Sequence, residues 1–309
     1  MALYPLKFKP IIKTKVWGSE VWSLSGYGDE ESVVANGFLQ DNLLSEAIEV
    51  YMDELVGDKV FSRFGNRFPL LFKYIDAQDD LSIQVHPTDA QAAAFGETGK
   101  TEMWYVTQAD KDASIILGFS RRTSADEVRQ SLADNTLLDL LQTEKVNKGD
   151  VAYIPAGTVH ALRRGVQVAE IQQASDTTYR LYDYNRPGLD GRLRPLHIEE
   201  SLACLDYEKQ TGLMQSGNGT LEGSTVLVED EHFTTNILRL SRPAHRDYSR
   251  LDSFVVYMCV EGKATVRIED DDTADTTIKA GETILIPAVF NDVSIEPSGP
   301  VSIIEVYIP

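Results

Sequence analysis

The sequence predicts a mainly β protein whose strands build sandwich or barrel halves. Three observations predict it. Short runs of β-branched and aromatic residues alternate with polar ones at period two, turn residues separate the runs, and one strand-turn-strand pattern occurs twice.

Along the chain, the first regular element is helical. Leu44, Ile48, Tyr51, Met52 and Leu55 fall on one helical face that stops at Gly57, a natural residue after a helix end. Strands follow at 68–75 (FPLLFKYI), 81–86 (LSIQVH), 103–107 (MWYVT) and 114–119 (SIILGF). Ser124-Ala-Asp-Glu127 is a capping box that opens a helix through Val128 and Leu132, with another turn or two around Leu137 to Leu141. Strands resume at 151–155 and 166–172, and a third short helix spans about Ile198 to Leu205. After a break come strands at 234–240, 254–262, 264–268, 282–288 and 301–308.

The break, from Gln210 to Gly223, is poor in large apolar residues and rich in Gly, Ser and Thr, so it reads as a linker. The expected division is a half at 1–210 with helical additions, a linker at 211–223 and a second half at 224–309. A weak repeat supports it: KGDVAYIPAGTVHAL (148–162) aligns with AGETILIPAVFNDVSI (280–295), and His160 then falls opposite Asp292.

Composition narrows the function. The chain has 309 residues, 29 basic against 48 acidic side chains, a net charge of −19 and 42% apolar content, which suits a large folded core and argues against disorder. The acidic balance repels a phosphate backbone, so nucleic-acid binding is not expected, although a locally basic pocket can still take a small anion. No run approaches the roughly 18 to 20 apolar residues of a membrane helix, and lysines interrupt the opening MALYPLKFKPIIK, so neither membrane insertion nor export is expected. Cys204 and Cys259 lie far apart with no CxxC spacing, which points to a reducing cytoplasm.

Several polar residues share faces. Side chains alternate along a strand, so Leu81, Ile83 and Val85 should face one way and Ser82, Gln84 and His86 the other. Gln84 and His86 then have Cα atoms roughly 6.7 Å apart, a spacing from which both can reach one cation. Solvent on a polar strand face is the simpler reading of this segment alone. Glu102 opens the next strong strand and His160 follows IPAGTV, so two imidazoles, a carboxylate and an amide oxygen form a candidate N₂O₂ metal site if the strands converge. Lys100 stands two residues before Glu102. Asp176, Arg180 and Arg186 lie among aromatic residues, where Arg180 reads equally well as a snorkelling surface arginine. Gly96-Glu-Thr-Gly99-Lys100-Thr101 imitates a phosphate loop but has two residues between its glycines in place of four, and it leads into a strand. A dinucleotide loop fails on spacing as well.

Taken together, LSIQVHP, GKTEMWY, YIPAGTVHAL and the SDxxxR spacing resemble type I phosphomannose isomerase (the mannose-6-phosphate isomerase family), in its shorter bacterial form. The resemblance begins at KPIIKTKVWG (9–18), runs through most of the first 210 residues and continues more loosely to the C-terminus. It implies two cupin-type jelly rolls, the first catalytic and metal-binding, the second degenerate and without metal. It also implies Gln84, His86, Glu102 and His160 as zinc ligands, one zinc per chain with cobalt or manganese as possible substitutes. Ser82, Lys100, Asp176 and Arg180 match the family's active-site positions, with Lys100, Asp176 and Arg180 in catalysis and Ser82, Lys100 and Arg180 on substrate. Two departures stand out. Some members have a histidine where this chain has Gly99, and longer members insert a helical domain that this length cannot hold.

The chemistry implied is aldose-ketose isomerisation of mannose 6-phosphate and fructose 6-phosphate through an enediol, with a sugar phosphate as the small-molecule partner and no obligate protein partner evident. Lys100 and Arg180 could serve the phosphate or the enediolate, and Asp176 could orient Lys100 or relay a proton. An oxygen-using cupin dioxygenase and a non-catalytic sugar-binding bicupin are the competing readings.

Overall fold

The computed structural model describes residues 3–217, 222–268 and 275–309. Its strands in order are β1 (Leu6–Lys7), β2 (Ile11–Lys15), β3 (Gly18–Ser25), β4 (Leu70–Ala77), β5 (Ile83–Val85), β6 (Glu102–Ala109), β7 (Ser114–Phe119), β8 (Leu141–Lys145), β9 (Val151–Ile154), β10 (His160–Leu162), β11 (Val166–Gln173), β12 (Tyr179–Tyr182) and β13 (Met214–Gln215). They continue with β14 (Gly223–Glu229), β15 (Thr234–Leu240), β16 (Ala244–Asp247), β17 (Val255–Glu261), β18 (Lys263–Ile268), β19 (Thr276–Lys279), β20 (Thr283–Ile286), β21 (Asp292–Pro297) and β22 (Val301–Tyr307). The helices are α1 (Leu44–Val56), α2 (Asp58–Phe64), α3 (Asp89–Ala92), α4 (Ala125–Ala133) and α5 (Ile198–Cys204). The mainly β expectation holds. None of the helices described is long and apolar enough to cross a membrane.

The chain divides into two units, one from 12–21 and 73–218, the other from 1–11, 22–72 and 219–309. In the first, a sheet ordered β13-β9-β6-β11-β4-β3-β2 faces a sheet ordered β12-β5-β10-β7-β8. Trp17, Ile75, Trp104, Val106, Ala152 and Val168 from the larger sheet meet Ile115, Leu117 and Leu162 from the smaller in one core. The smaller sheet turns its other face, with Ile83, Val85, Ile116, Ala161 and Leu181, toward α4 and α5 through Val128 and Leu202. Period-two strands with apolar residues on both faces need cover on both sides, which is why the helices cluster here. Leu81 breaks the expected alternation: it precedes β5 and packs into the inter-sheet core, while Ile83 and Val85 face the helices.

The second unit repeats the plan, with sheets ordered β1-β20-β17-β22-β15-β14 and β16-β21-β18-β19. Val255, Tyr257 and Cys259 enter its core with Val266 and Ile295 of the facing sheet. The opposite face of β17 is buried too. Phe254 stacks on Phe68 at 4.6 Å, and its N–H donates to the carbonyl of Val56 at 3.1 Å. Residues 22–72 thus supply the cover that the second sandwich needs, and the units differ from the serial division at 210. That division followed composition and the weak repeat, and neither gives a sign of a segment packing on a sheet far away in sequence. Part of the expected linker is also ordered: β13 pairs with β9, Met214 opposite Ala152. The remainder, 218–221, lies outside the described residues.

Helix α1 ends at Gly57 as expected, φ 91°, but Met52 is exposed and stands outside the apolar face formed by Leu44, Ala47, Ile48 and Leu55. At α4 only half of the capping box forms. Ser124 accepts from the Glu127 N–H, while the Glu127 carboxylate turns to Arg121 and Thr123.

Candidate active site

A single row across the smaller sheet of the first unit sets the site. Arg180 on β12 lies opposite Gln84 on β5, Gln84 opposite His160 on β10, and His160 opposite Leu117 on β7. Directly opposed residues in antiparallel strands share a face, so Arg180, Gln84 and His160 all line the inner side of the sandwich. The Trp104 ring, 5.4 Å from His160, confirms that side. Glu102 reaches the same point from the first position of β6 in the facing sheet, and His86 follows β5. The four residues expected to hold metal are therefore brought together.

His86, Glu102 and His160 are fully buried and their ligand atoms lie within 4.8 Å of one another; among the described residues no other group of three or more His, Cys, Asp or Glu side chains does so. His86 Nε2 is 3.4 Å from Glu102 Oε2, and His160 Nε2 is 3.2 Å from Glu102 Oε1. The far nitrogens are occupied: His86 Nδ1 donates to the Thr177 carbonyl at 2.9 Å and His160 Nδ1 to the Thr158 carbonyl at 2.8 Å. Carbonyls only accept, so each ring carries a proton on Nδ1 and turns Nε2 to the carboxylate. Neither Glu102 oxygen nor His86 Nε2 finds a hydrogen-bond donor.

Acceptors do not gather at these distances in a dry interior without positive charge between them. Protonating an imidazole is one way to supply it, but burial first, and the Lys100 charge after it, push His86 down to about 3. Burial alone would raise the Glu102 carboxyl, yet Lys100 and the two imidazoles outweigh it and hold the group well below the carboxylate range. An ionised carboxylate facing the Nε2 atoms of two imidazoles is the donor set of a divalent cation, and the residues fit one. Gln84 Nε2 now donates to His160 Nε2 at 3.3 Å; a flip of the amide would put Oε1 in that place for a cation.

Lys100 is buried with Nζ 3.2 Å from Glu102 Oε2. Its segment is fixed from both sides. The Lys100 N–H donates to the Pro87 carbonyl at 3.0 Å, the Gly99 N–H to Asp89 Oδ1 at 2.8 Å, and Gln173 links Asp89 to the Thr101 N–H. Position 99 has room for glycine only: a Cβ would sit 2.4 Å from the Asp89 nitrogen and 2.7 Å from the Thr88 carbonyl carbon. The histidine that some family members carry there has no space in this backbone.

Ser82 is buried. Asp176 is exposed and makes no hydrogen bond or ion pair with Lys100 among the described residues, so orientation of Lys100 falls to Glu102 instead. Arg180 is half-buried: Nη1 donates to the Pro195 carbonyl at 2.8 Å, and Nε is buried without a partner. Sequence reasoning missed a polar group next to these. Lys73 donates to Glu170 at 2.9 Å and to Gln172 at 2.7 Å, and Trp104 Nε1 donates to the other Glu170 oxygen at 2.7 Å. A lysine inside the apolar run FPLLFKYI was the available signal. Asp183, which binds Arg186 and Arg194, was missed too.

Comparison with known proteins places this geometry in a lineage. Residues 5–117 match the profile of the phosphomannose isomerase type I catalytic domain, and residues 223–308 match that of the mannose-6-phosphate isomerase cupin domain. Mannose-6-phosphate isomerase ManA of Bacillus subtilis is 36% identical over 285 residues, covering 85% of this chain and 87% of that protein. The chain belongs to the type I phosphomannose isomerase family. A second relative, the mannose-6-phosphate isomerase of Streptococcus mutans, is 35% identical over 303 residues, 92% of each chain. The crystal structure of mannose 6-phosphate isomerase from Bacillus subtilis superposes with a TM-score of 0.83 at 29% identity, over 98% of this chain and 99% of that one. A variant of phosphomannose isomerase from Salmonella typhimurium, 18% identical with a TM-score of 0.76, shares the fold. The catalytic-domain profile covers Ser82, Gln84, His86, Lys100 and Glu102, while the cupin profile falls on the second sandwich.

Proposed function

We propose that the chain interconverts mannose 6-phosphate and fructose 6-phosphate with one zinc ion held by Gln84, His86, Glu102 and His160. The buried cluster of facing acceptors with Lys100 beside it and Arg180 in the same row carries the proposal, because it offers a cation site with further positive charge at hand. Two neutral imidazoles, an amide oxygen and a single carboxylate leave a divalent cation net positive, and with no thiolate in the set cobalt or manganese can stand in for zinc. Such a cation supplies stabilisation of negative charge spread over two neighbouring sugar oxygens.

The protein side chains do the rest. Isomerisation moves a proton from C2 of the open-chain aldose to C1, through an enediolate, and the hydroxyl proton moves the same way, from O2 to O1. Lys100, locked against Glu102, and Arg180, with Nε unspent, supply charge to the enediolate and phosphate oxygens; the planar arginine fork suits two oxygens at once. Ser82 contributes a hydroxyl to substrate, and Asp176 relays a proton. Both cysteines are buried and not joined in a disulfide, which suits the cytoplasm.

The test is a coupled assay on purified, metal-replete protein with mannose 6-phosphate, before and after chelation. Turnover that falls on chelation and returns with zinc is expected, with free mannose a far poorer substrate because the phosphate contributes binding energy. Metal-replete protein that leaves both sugar phosphates unchanged refutes the reading.

A further inference from the structure

We propose that His197 is a positioning residue for the isomerisation: it fixes the backbone of Arg180 at the outer edge of the catalytic sheet and so sets where the guanidinium meets the reacting sugar. The proposal rests on the functional reading above.

Strand β12 ends its sheet, so one of its edges has no neighbouring strand. At Arg180 a single residue takes the place of that strand. The Arg180 N–H donates to His197 Nδ1 at 3.1 Å, and the His197 N–H donates to the Arg180 carbonyl at 2.8 Å. Both backbone groups of Arg180 therefore point outward, which makes Arg180 and Gln84 a non-hydrogen-bonded pair, the kind whose Cα atoms approach to about 4.5 Å and whose side chains lie closest. Just beyond, the ladder slips: Tyr182, and not Leu181, pairs with Ile83. A bulge loosens the strand at the position where the arginine must be held.

His197 is itself anchored. Its carbonyl accepts from the Ser201 N–H at 2.8 Å to start α5, and its ring lies against Tyr179 with centroids 6.2 Å apart. Two residues earlier, Pro195 accepts from Arg180 Nη1, so the segment 195–197 grips the arginine at N–H, carbonyl and guanidinium. Burial, and then the charge of Arg194, hold the Arg180 pKa below its ordinary value, a state that an oxyanion would relieve. A misplacement of about 1 Å at such a group costs up to ~100-fold in rate.

The test compares His197→Phe, which keeps a ring against Tyr179 but has no acceptor, with His197→Asn, whose Oδ1 can stand where Nδ1 stood. His197→Phe should retain metal and lower kcat on the order of ten- to a hundredfold with KM within about threefold. His197→Asn should recover kcat to within about threefold of wild type, and His197→Phe should have no further effect in an Arg180→Ala background. Wild-type kcat in His197→Phe, an Asn variant as slow as the Phe variant, or an undiminished effect without Arg180 would each overturn the proposal. Amide exchange gives a readout independent of turnover and of either variant's folding: the Arg180 N–H should be protected in the wild-type protein, and fast exchange there overturns the clamp. A wild-type protein that turns over neither sugar phosphate would defeat the functional reading, and exchange at Arg180 would still decide the clamp.

Discussion

Substituting Gly99 by alanine adds one methyl group where the backbone leaves no room for it. The new Cβ would lie 2.4 Å from the Asp89 nitrogen, whereas ordinary contact begins near 3.4 Å, so the segment must shift by about 1 Å. The obstructing atoms belong to the backbone at the start of α3, so no side-chain rotation relieves the clash. The shift falls one residue from Lys100, whose Nζ lies 3.2 Å from Glu102, and it breaks the Gly99 N–H bond to Asp89. An ångström of misplacement at a charged group in a reacting complex is worth up to ~100-fold in kcat/KM. Overpacking should also cost ~1–3 kcal/mol of stability. The assay is steady-state isomerisation of mannose 6-phosphate by Gly99→Ala, with metal content and melting temperature measured on the same preparation. Metal should be retained, kcat/KM should fall at least tenfold, and Gly99→His should do no better than alanine. Wild-type kcat/KM in Gly99→Ala would show that the loop yields without moving Lys100, and the steric account would be wrong.

Other changes separate the metal from the charges around it. His86→Ala and His160→Ala should each lose metal and nearly all activity while melting cooperatively, since the core does not depend on the ion; elemental analysis and a thermal melt check both. Wild-type protein should hold close to one equivalent of metal per chain, and His245→Ala, altering a half-exposed residue paired with Asp292 in the second sandwich, should leave that figure unchanged. Lys100→Ala or Arg180→Ala should keep metal and lose on the order of a hundredfold in kcat/KM, the effect of removing one preorganised charge. Asp183 tests a structural pair: burial would raise its pKa, but hydrogen bonds from Arg194 and Arg186 outweigh burial and lower it. A lowered folded pKa stabilises above the ordinary value of 3.8 and is lost as pH falls through the folded value, so Asp183→Asn should be destabilised by ~2–4 kcal/mol near neutrality. Its melting temperature should converge on wild type as pH drops below about 4, and a pH-independent difference would contradict the pairing.

The parts of this site that were legible in the sequence are those encoded by local period. Alternation along LSIQVH put Gln84 and His86 on one face, and the structure turns that face inward because Ile83 and Val85 pack toward the helices. Convergence of Glu102 and His160 on the same point was not local information; the two lie 58 positions apart on facing sheets, and only the motif resemblance joined the four. What remained hidden was of two kinds. Lys73, Glu170 and Gln172 lie on strands whose apolar neighbours dominate the pattern, so a buried ion pair between them leaves no periodic trace. The role of residues 22–72 as cover for β17 was hidden because amphipathic α1 shows that it packs, and never on what.

The two sandwiches show why, among the described residues, the first alone presents a candidate cation site. Their registers correspond: Trp104 stands opposite Glu170 as Tyr257 stands opposite Glu305, and Ala152 and Ile284 flank them in turn. Each copy thus keeps a buried carboxylate at the same place in its larger sheet, and each neutralises it internally. Lys73 binds Glu170, while Arg246 binds Glu305 through two hydrogen bonds of 2.9 and 2.8 Å, with Tyr248 and Asn236 completing the shell. The difference lies one step along the strand. Where the first copy has Glu102 opposite Ile154, the second has Val255 opposite Ile286, and on its smaller sheet Arg246 and Val293 take the inward face, leaving the paired Asp247 and Asp292 on the outer one. A valine in place of the carboxylate removes the charge that would bind a cation, and the two aspartates face away from that place. In the first copy Glu102 faces two bare imidazole nitrogens with Lys100 as its nearby cation, so its acceptors outnumber the donors the chain provides. The fold supplies the same buried scaffold twice, and the candidate cation site lies where one copy leaves its acceptors uncompensated.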